Sequence, residues 1–197
     1  MMALLLALAL SAQAAAWKTN QVALVLQHSG AQRNLGQAIT TLLNRLLEDK
    51  PEAVEITLLG FDPKFKQIDG GRFERKPAVL VPRTADREAI KEALGNTPFN
   101  GPSPVWDAVV LALGAEKDRP GLVLLVANGL DNSSETSYDD VLKKVGDAQV
   151  PVVVYYVPAN PPGNGENHLK KLAKSSSGKF IDLRVKDSWD QLLAALR

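Results

Sequence analysis

The chain contains no cysteine. That absence excludes disulfides, thiolate metal ligands, cysteine nucleophiles and dithiol redox chemistry together. Histidine is scarce as well: His28 and His168 are the only two, far apart and without a shared ligand motif. Neither sign of charge is in excess, with 23 Lys and Arg against 22 Asp and Glu and a formal net charge of +1. Such a chain projects no long-range field toward nucleic acid or anionic lipid, so neither is an expected partner. No internal repeat or long linker divides the 197 residues, a length that suits one domain with a full hydrophobic core.

One long hydrophobic run is present. Residues 1 to 16, MMALLLALALSAQAAA, hold 14 apolar residues and no charge. The run is shorter than the roughly 20 helical residues that span a bilayer. Leu4 to Leu10 has the length of a signal-peptide core, and Ala12-Gln13-Ala14 and Ala14-Ala15-Ala16 both provide the small-x-small pattern of a cleavage site. No Lys or Arg precedes the run, which departs from the usual basic start and is compatible with a start further upstream. The expected organisation is a signal peptide over 1–16 and one domain over 17–197, exported to the periplasm or the cell exterior. The alternative is a buried first helix. Without the run, the apolar share falls from 45% to about 41%, ordinary for a globular domain. No membrane span is expected in the mature chain, and an exported fold without disulfides relies on its core for stability.

The remaining residues alternate between two kinds of segment. Val22–Leu26, Val54–Leu59, Leu122–Val126 and the β-branched run Val150–Val157 have the continuous apolar character of strands buried on both faces. The last, as the longest, is expected at the centre of the sheet. Phe65–Ile68 is expected to return beside the second strand, Asp69-Gly70-Gly71 to turn, Ala78–Val81 to be extended, and Phe180–Leu183 to be the last strand. Between them lie amphipathic helices. The clearest carries Leu35, Ala38, Ile39, Leu42, Leu43, Leu46 and Leu47 and ends before Pro51. Others carry Ile90, Ala93 and Leu94, capped by Thr84; Val105, Ala108, Val109, Ala112 and Leu113, started by Ser103-Pro104; Val141, Leu142 and Val145; Leu169, Leu172 and Ala173; and Trp189, Leu192, Leu193 and Leu196. This pattern implies an α/β fold, a doubly wound, mostly parallel six-stranded sheet with helices on both faces, whose ligands bind at the carboxyl ends of the strands.

Three segments at those ends read Gln27-His28-Ser29-Gly30-Ala31, Gly101-Pro102-Ser103-Pro104-Val105-Trp106-Asp107-Ala108 and Ala127-Asn128-Gly129-Leu130-Asp131-Asn132. In order and strand context the sequence resembles the von Willebrand factor A domain over roughly residues 21 to 197. That family has Asp-x-Ser-x-Ser after its first strand, a Thr in the second segment and Thr-Asp-Gly in the third, which together hold a metal ion. The resemblance implies the doubly wound fold with one antiparallel edge strand and a role in binding other proteins.

The departures from that pattern govern the chemistry. Gln27 stands for the first Asp, Ala31 for the second Ser, Ser103 for the Thr and Asn128 for the last Asp. Mg²⁺ and Ca²⁺ are hard cations that need carboxylate oxygens to offset dehydration, so neither cofactor is expected and no metal ligand is assigned. The binding-loop candidates are Gln27, Ser29, Ser103, Asn128 and Asp131, the last being the nearest spare carboxylate. The plainer readings make Ser29 and Ser103 helix caps, and Gln27 and Asn128 a hydrogen-bonded clip in place of the ion. His28 is read as an exposed loop residue, Trp106 as core, and Asp139, Asp140, Lys143 and Lys144 as a solvated face with i,i+4 pairing. No catalytic constellation is found. Ser29 lacks the glycines of a nucleophile elbow, and no phosphate loop follows any strand. The expected function is therefore a non-enzymatic module that binds another protein without a metal. Its rivals are a metal-dependent module rebuilt around Asp131 and a hydrolase using Ser29.

Overall fold

The computed structural model describes residues 16–114, 119–158 and 163–197. Residues 1–15 of the expected signal peptide therefore lie outside the described residues. The sheet is built on β1 (Gln21–Leu26), β2 (Glu55–Phe61), β6 (Leu122–Ala127), β7 (Val152–Tyr156) and β8 (Phe180–Asp182), all parallel, with β5 (Pro77–Thr84) antiparallel at one edge. The strand order is β5-β2-β1-β6-β7-β8. The long β-branched run thus forms β7, one place from the β8 edge, while β1 and β6 take the centre.

Successive side chains of a strand point to opposite faces, and here both faces are covered. Val22, Leu24 and Leu26 of β1 enter one core with Leu122, Leu124 and Val126 of β6. Ala23 and Val25 enter the other with Val123, Leu125 and Ala127. Helices α1 (Gly36–Asp49), α2 (Arg87–Asn96) and α6 (Ser188–Leu196) close the first core, and α3 (Val105–Leu113), α4 (Tyr138–Ala148) and α5 (Gly165–Ser175) close the second. Each fully buried Val or Leu contributes about 1.5–3 kcal/mol, so both faces are needed. Trp17 belongs to the first core, and the Lys18 N–H donates to the Leu196 carbonyl at 2.6 Å, tying the two ends of the domain together.

Several local expectations are corrected. Thr84 ends β5 and does not cap α2; the Asp86 carboxylate does, accepting from the Glu88 and Ala89 N–H groups at 2.9 and 3.2 Å. On α4, Asp140 accepts from the Ser137 hydroxyl at 2.6 Å and completes a capping pair there. Phe65–Ile68 does not return beside β2. Instead β3 (Lys66–Gln67) pairs with β4 (Phe73–Glu74) in a separate two-stranded ribbon, joined through Gly70 and Gly71, both at positive φ. The edge position beside β2 is filled by β5.

Candidate functional site

The chain leaves β1 toward β2 on one side and reaches β6 on the other. The carboxyl ends of β1 and β6 are therefore the topological switch point, the place where sheets of this kind bind their ligands. Three loops meet there: residues 27–29 after β1, 100–104 before α3, and 128–134 after β6.

Gln27, fully buried, joins them. Its backbone N–H continues the sheet by donating to the Val126 carbonyl at 3.0 Å, which fixes the side chain above the strand ends. Its Nε2 donates to the Ser103 Oγ at 2.7 Å and to the Leu130 carbonyl at 3.0 Å. Its Oε1 accepts from the N–H groups of Asn128 and Gly129, at 2.9 and 3.1 Å. A primary amide has two N–H donors and two acceptor lone pairs, and all four are used. One neutral side chain thus bonds the second loop and, three times, the third.

The other candidates are placed less uniformly. Ser103 is buried and receives the Gln27 bond, while its N–H donates to the Asn132 Oδ1 at 2.7 Å. It does not cap α3. That role falls to Asp131, whose Oδ2 accepts from the Trp106 N–H at 3.0 Å and from the Ser134 hydroxyl at 2.5 Å; Oδ1 accepts from the N–H groups of Ser133 and Ser134. Asn128 turns its Oδ1 to the Leu130 N–H at 2.9 Å, and its buried Nδ2 has no protein partner. Ser29 precedes a 3-10 turn (Gly30–Leu35), but its buried Oγ caps nothing and is unpartnered. Gln27, Ser103 and the backbone of residues 128–130 are brought together, whereas Asp131 serves the first turn of α3. The third loop also rests on α5. A Cβ on Gly165 would lie 2.2 Å from the Asn128 carbonyl oxygen, so the helix can approach only as glycine.

His28 corrects an expectation directly: it is buried, at 1% exposure. Its Nε2 accepts from the Phe61 N–H at 2.8 Å, which leaves Nδ1 to donate to the Pro98 carbonyl at 2.9 Å. The ring therefore pins the end of β1 to β2 and to the segment after α2, and it stacks on Phe61. Burial, helped by the nearby Arg75 charge, pushes its pKa down to about 4, against its hydrogen bonds to backbone. With both ring nitrogens engaged, His28 is no base for Ser29.

Sequence reasoning overlooked Arg75. It lies at the base of the β3–β4 ribbon and is 1% exposed. Its Nε donates to the Asp62 carbonyl at 2.6 Å, and its Nη1 to the carbonyls of Asn100 and Pro102 at 2.7 and 3.0 Å. Burial lowers its pKa to about 10, opposed by Asp62, so the group remains charged at neutral pH. Asp107, also overlooked, accepts from the N–H groups of Glu135 and Thr136. Nothing in the sequence separates Arg75 from its solvated basic neighbours. Asp107 does stand in the second of the three loop segments, and its place in the first turn of α3 is the available signal.

The fit of a divalent cation follows from the donors. No carboxylate enters the set of Gln27, Ser29, Ser103 and Asn128. Both Gln27 acceptor pairs are taken, the Ser103 hydroxyl receives an N–H, and Asn128 leaves a donor rather than an acceptor unpartnered. Asp131 is occupied by four hydrogen bonds. These residues do not fit a hard cation, which requires free anionic oxygens. Among the described residues, no three acidic or histidine side chains cluster as ligands.

No family model and no curated protein matches the sequence. Solved structures do. A von Willebrand factor type A protein from Catenulispora acidiphila superposes with a TM-score of 0.61 at 16% identity, covering 89% of this chain and 42% of that one. The chain thus spans less than half of that protein's length. The SpRpn10 VWA domain superposes with a TM-score of 0.54 at 13% identity, covering 84% of this chain and 88% of that one. The fold is that of von Willebrand factor A domains, with its single antiparallel edge strand and a six-stranded, mostly parallel sheet.

Proposed function

We propose that the chain is an exported, non-enzymatic module that binds another protein through the loops above β1 and β6 and needs no metal ion to hold them. The observation that carries this reading is the saturated Gln27 amide. It links the three loops with four hydrogen bonds, each worth about 1 kcal/mol net and more where the partner would otherwise be buried unsatisfied. A cation organises such loops by charge, and here a neutral side chain does so by geometry. The apolar segment at residues 1–16 supports export. Support for a binding role over catalysis comes from Ser29, whose hydroxyl has no base, and from His28, whose ring is fully engaged.

The test is capture from the cell envelope. The immobilised chain is exposed to envelope extract in Mg²⁺ buffer and in EDTA, and retained proteins are identified by mass spectrometry. The reading expects the same proteins in both buffers. Retention of nothing above background contradicts the binding role, and EDTA-sensitive retention contradicts metal independence.

A further inference from the structure

Among the described residues, the ribbon between β2 and β5 adds no side chain to either core. Its β3 and β4 pair only with each other, and two of its aromatic side chains face solvent. Phe65 is 41% and Phe73 43% exposed, and their rings meet edge to face at 6.1 Å. Phe65 also lies against Gly101, where an added Cβ would stand 2.6 Å from its ring. The ribbon is therefore laid beside the second loop of the site, fastened there by Arg75, and joined just past the third loop by an ion pair between Lys76 and Glu135.

Beside these aromatics lies a cavity of about 220 Å³ whose walls include Lys64, Phe65, Lys66, Glu74, Arg75 and Lys76. It is smaller than the 300–1,000 Å³ typical of small-molecule pockets and closer to the room a side chain requires. Its charge is unbalanced. Glu74 is already held by Lys66 at 2.9 Å and Lys76 at 3.6 Å. Asp62, which also lines it, spends Oδ1 on the Lys64 N–H. Lys64 forms no ion pair with a described carboxylate. Arg75 donates only to carbonyls and lies over the Phe61 and Phe65 rings, and its buried Nη2 has no hydrogen-bond partner. Residues 62–76 hold five cations against three carboxylates, so this ribbon concentrates positive charge in a chain that is otherwise nearly neutral. Asp62 offsets part of the Arg75 charge, yet the cavity walls carry four cations against two carboxylates, a balance that favours an incoming carboxylate.

We propose that this cavity and the Phe65–Phe73 pair form the docking surface for an acidic, apolar peptide segment of a partner protein. A Glu or Asp of the partner enters beside Lys64 and Arg75, and a neighbouring apolar side chain covers the phenyl rings. The proposal rests on the binding role above and assigns it a surface and a partner chemistry.

The test is fluorescence anisotropy of the full chain with a labelled peptide of alternating Glu and Leu, and with its Lys and Leu counterpart. The acidic peptide is expected to bind, and to weaken steeply as salt is raised. Lys64→Glu should weaken it about tenfold, the cost of turning one close attraction into repulsion. Lys64→Arg should preserve it, as should Lys143→Glu on the distant α4. Circular dichroism confirms that each variant folds. Absence of binding, equal binding of the basic peptide, or equal loss in Lys64→Glu and Lys143→Glu overturns the proposal. So does displacement of the peptide by millimolar inorganic phosphate, or tighter binding to phosphatidylglycerol vesicles. The envelope capture, repeated with Lys64→Glu, separates the two levels. If parent and variant retain the same proteins, the ribbon assignment falls and the binding role stands. If neither retains any, the binding role itself falls.

Discussion

The buried His28 makes folding stability depend on pH in a way that can be worked out in advance. In the unfolded chain the imidazole takes a proton near its ordinary pKa of 6.5, whereas in the folded chain it resists until about pH 4. Between those values the unfolded state binds more protons, so stability falls as pH falls and is restored as pH rises. Over the full interval the loss approaches about 3 kcal/mol, and between pH 7.5 and 5.0 it is about 2 kcal/mol. The carboxylates held below their usual range by cationic partners, Glu74, Glu166 and Asp182, work in the same direction. Their windows lie lower, so pH 5.0 keeps them largely out of the comparison. The assay is guanidinium denaturation followed by tryptophan fluorescence at both pH values, for the parent and for His28→Gln. The variant should start about 2 kcal/mol less stable at pH 7.5, having lost well-formed hydrogen bonds to Phe61 and Pro98. It should then lose about 2 kcal/mol less than the parent on acidification. Subtraction removes every other titrating group. A parent that loses no more stability than the variant refutes the assignment of a buried neutral imidazole.

Further perturbations address the brackets around the site. Gln27→Glu is isosteric but replaces the donor aimed at Ser103 and Leu130 with an anionic oxygen, so it should cost about 3 kcal/mol at neutral pH in denaturant melts; an unchanged midpoint contradicts the clip. Arg75→Met keeps the length of the side chain but leaves the buried Pro102 carbonyl and the part-buried carbonyls of Asp62 and Asn100 without their donor. A loss of about 2–4 kcal/mol is expected by the same melts. Gly101→Ala adds a Cβ at positive φ and against the Phe65 ring. It should cost about 1–2 kcal/mol and raise the proteolytic sensitivity of the ribbon while the rest of the chain stays resistant.

The central architecture was legible because apolar periodicity reports burial. Val22–Leu26 and Leu122–Val126 are apolar at every position, and only a strand covered on both faces requires that. The three loops were legible as a set because two of them follow such strands and the other, before α3, falls between them in a fixed order. What escaped were features decided by tertiary partners. Asp131 reads in the sequence as a spare carboxylate for a metal, whereas the structure uses it to cap α3 from another loop, a pairing no local pattern discloses. Ser103 has the spacing of a cap, yet its hydroxyl is claimed by Gln27 from a strand 76 residues away. His28 reads as polar and therefore exposed until the carbonyl of Pro98 and the N–H of Phe61 are seen to satisfy it. The ribbon strands are only two residues long, too short for any period to show.

On the proposal above, the neutral Gln27 side chain does what a cation does in metal-binding loops of this kind. Calorimetric titration of the chain with Mg²⁺, Mn²⁺ and Ca²⁺ tests that most directly. The proposal is upheld by no saturable heat at micromolar concentrations and no change in melting temperature with any of the three ions. Micromolar binding of one of them, abolished by Asn128→Ala, contradicts it.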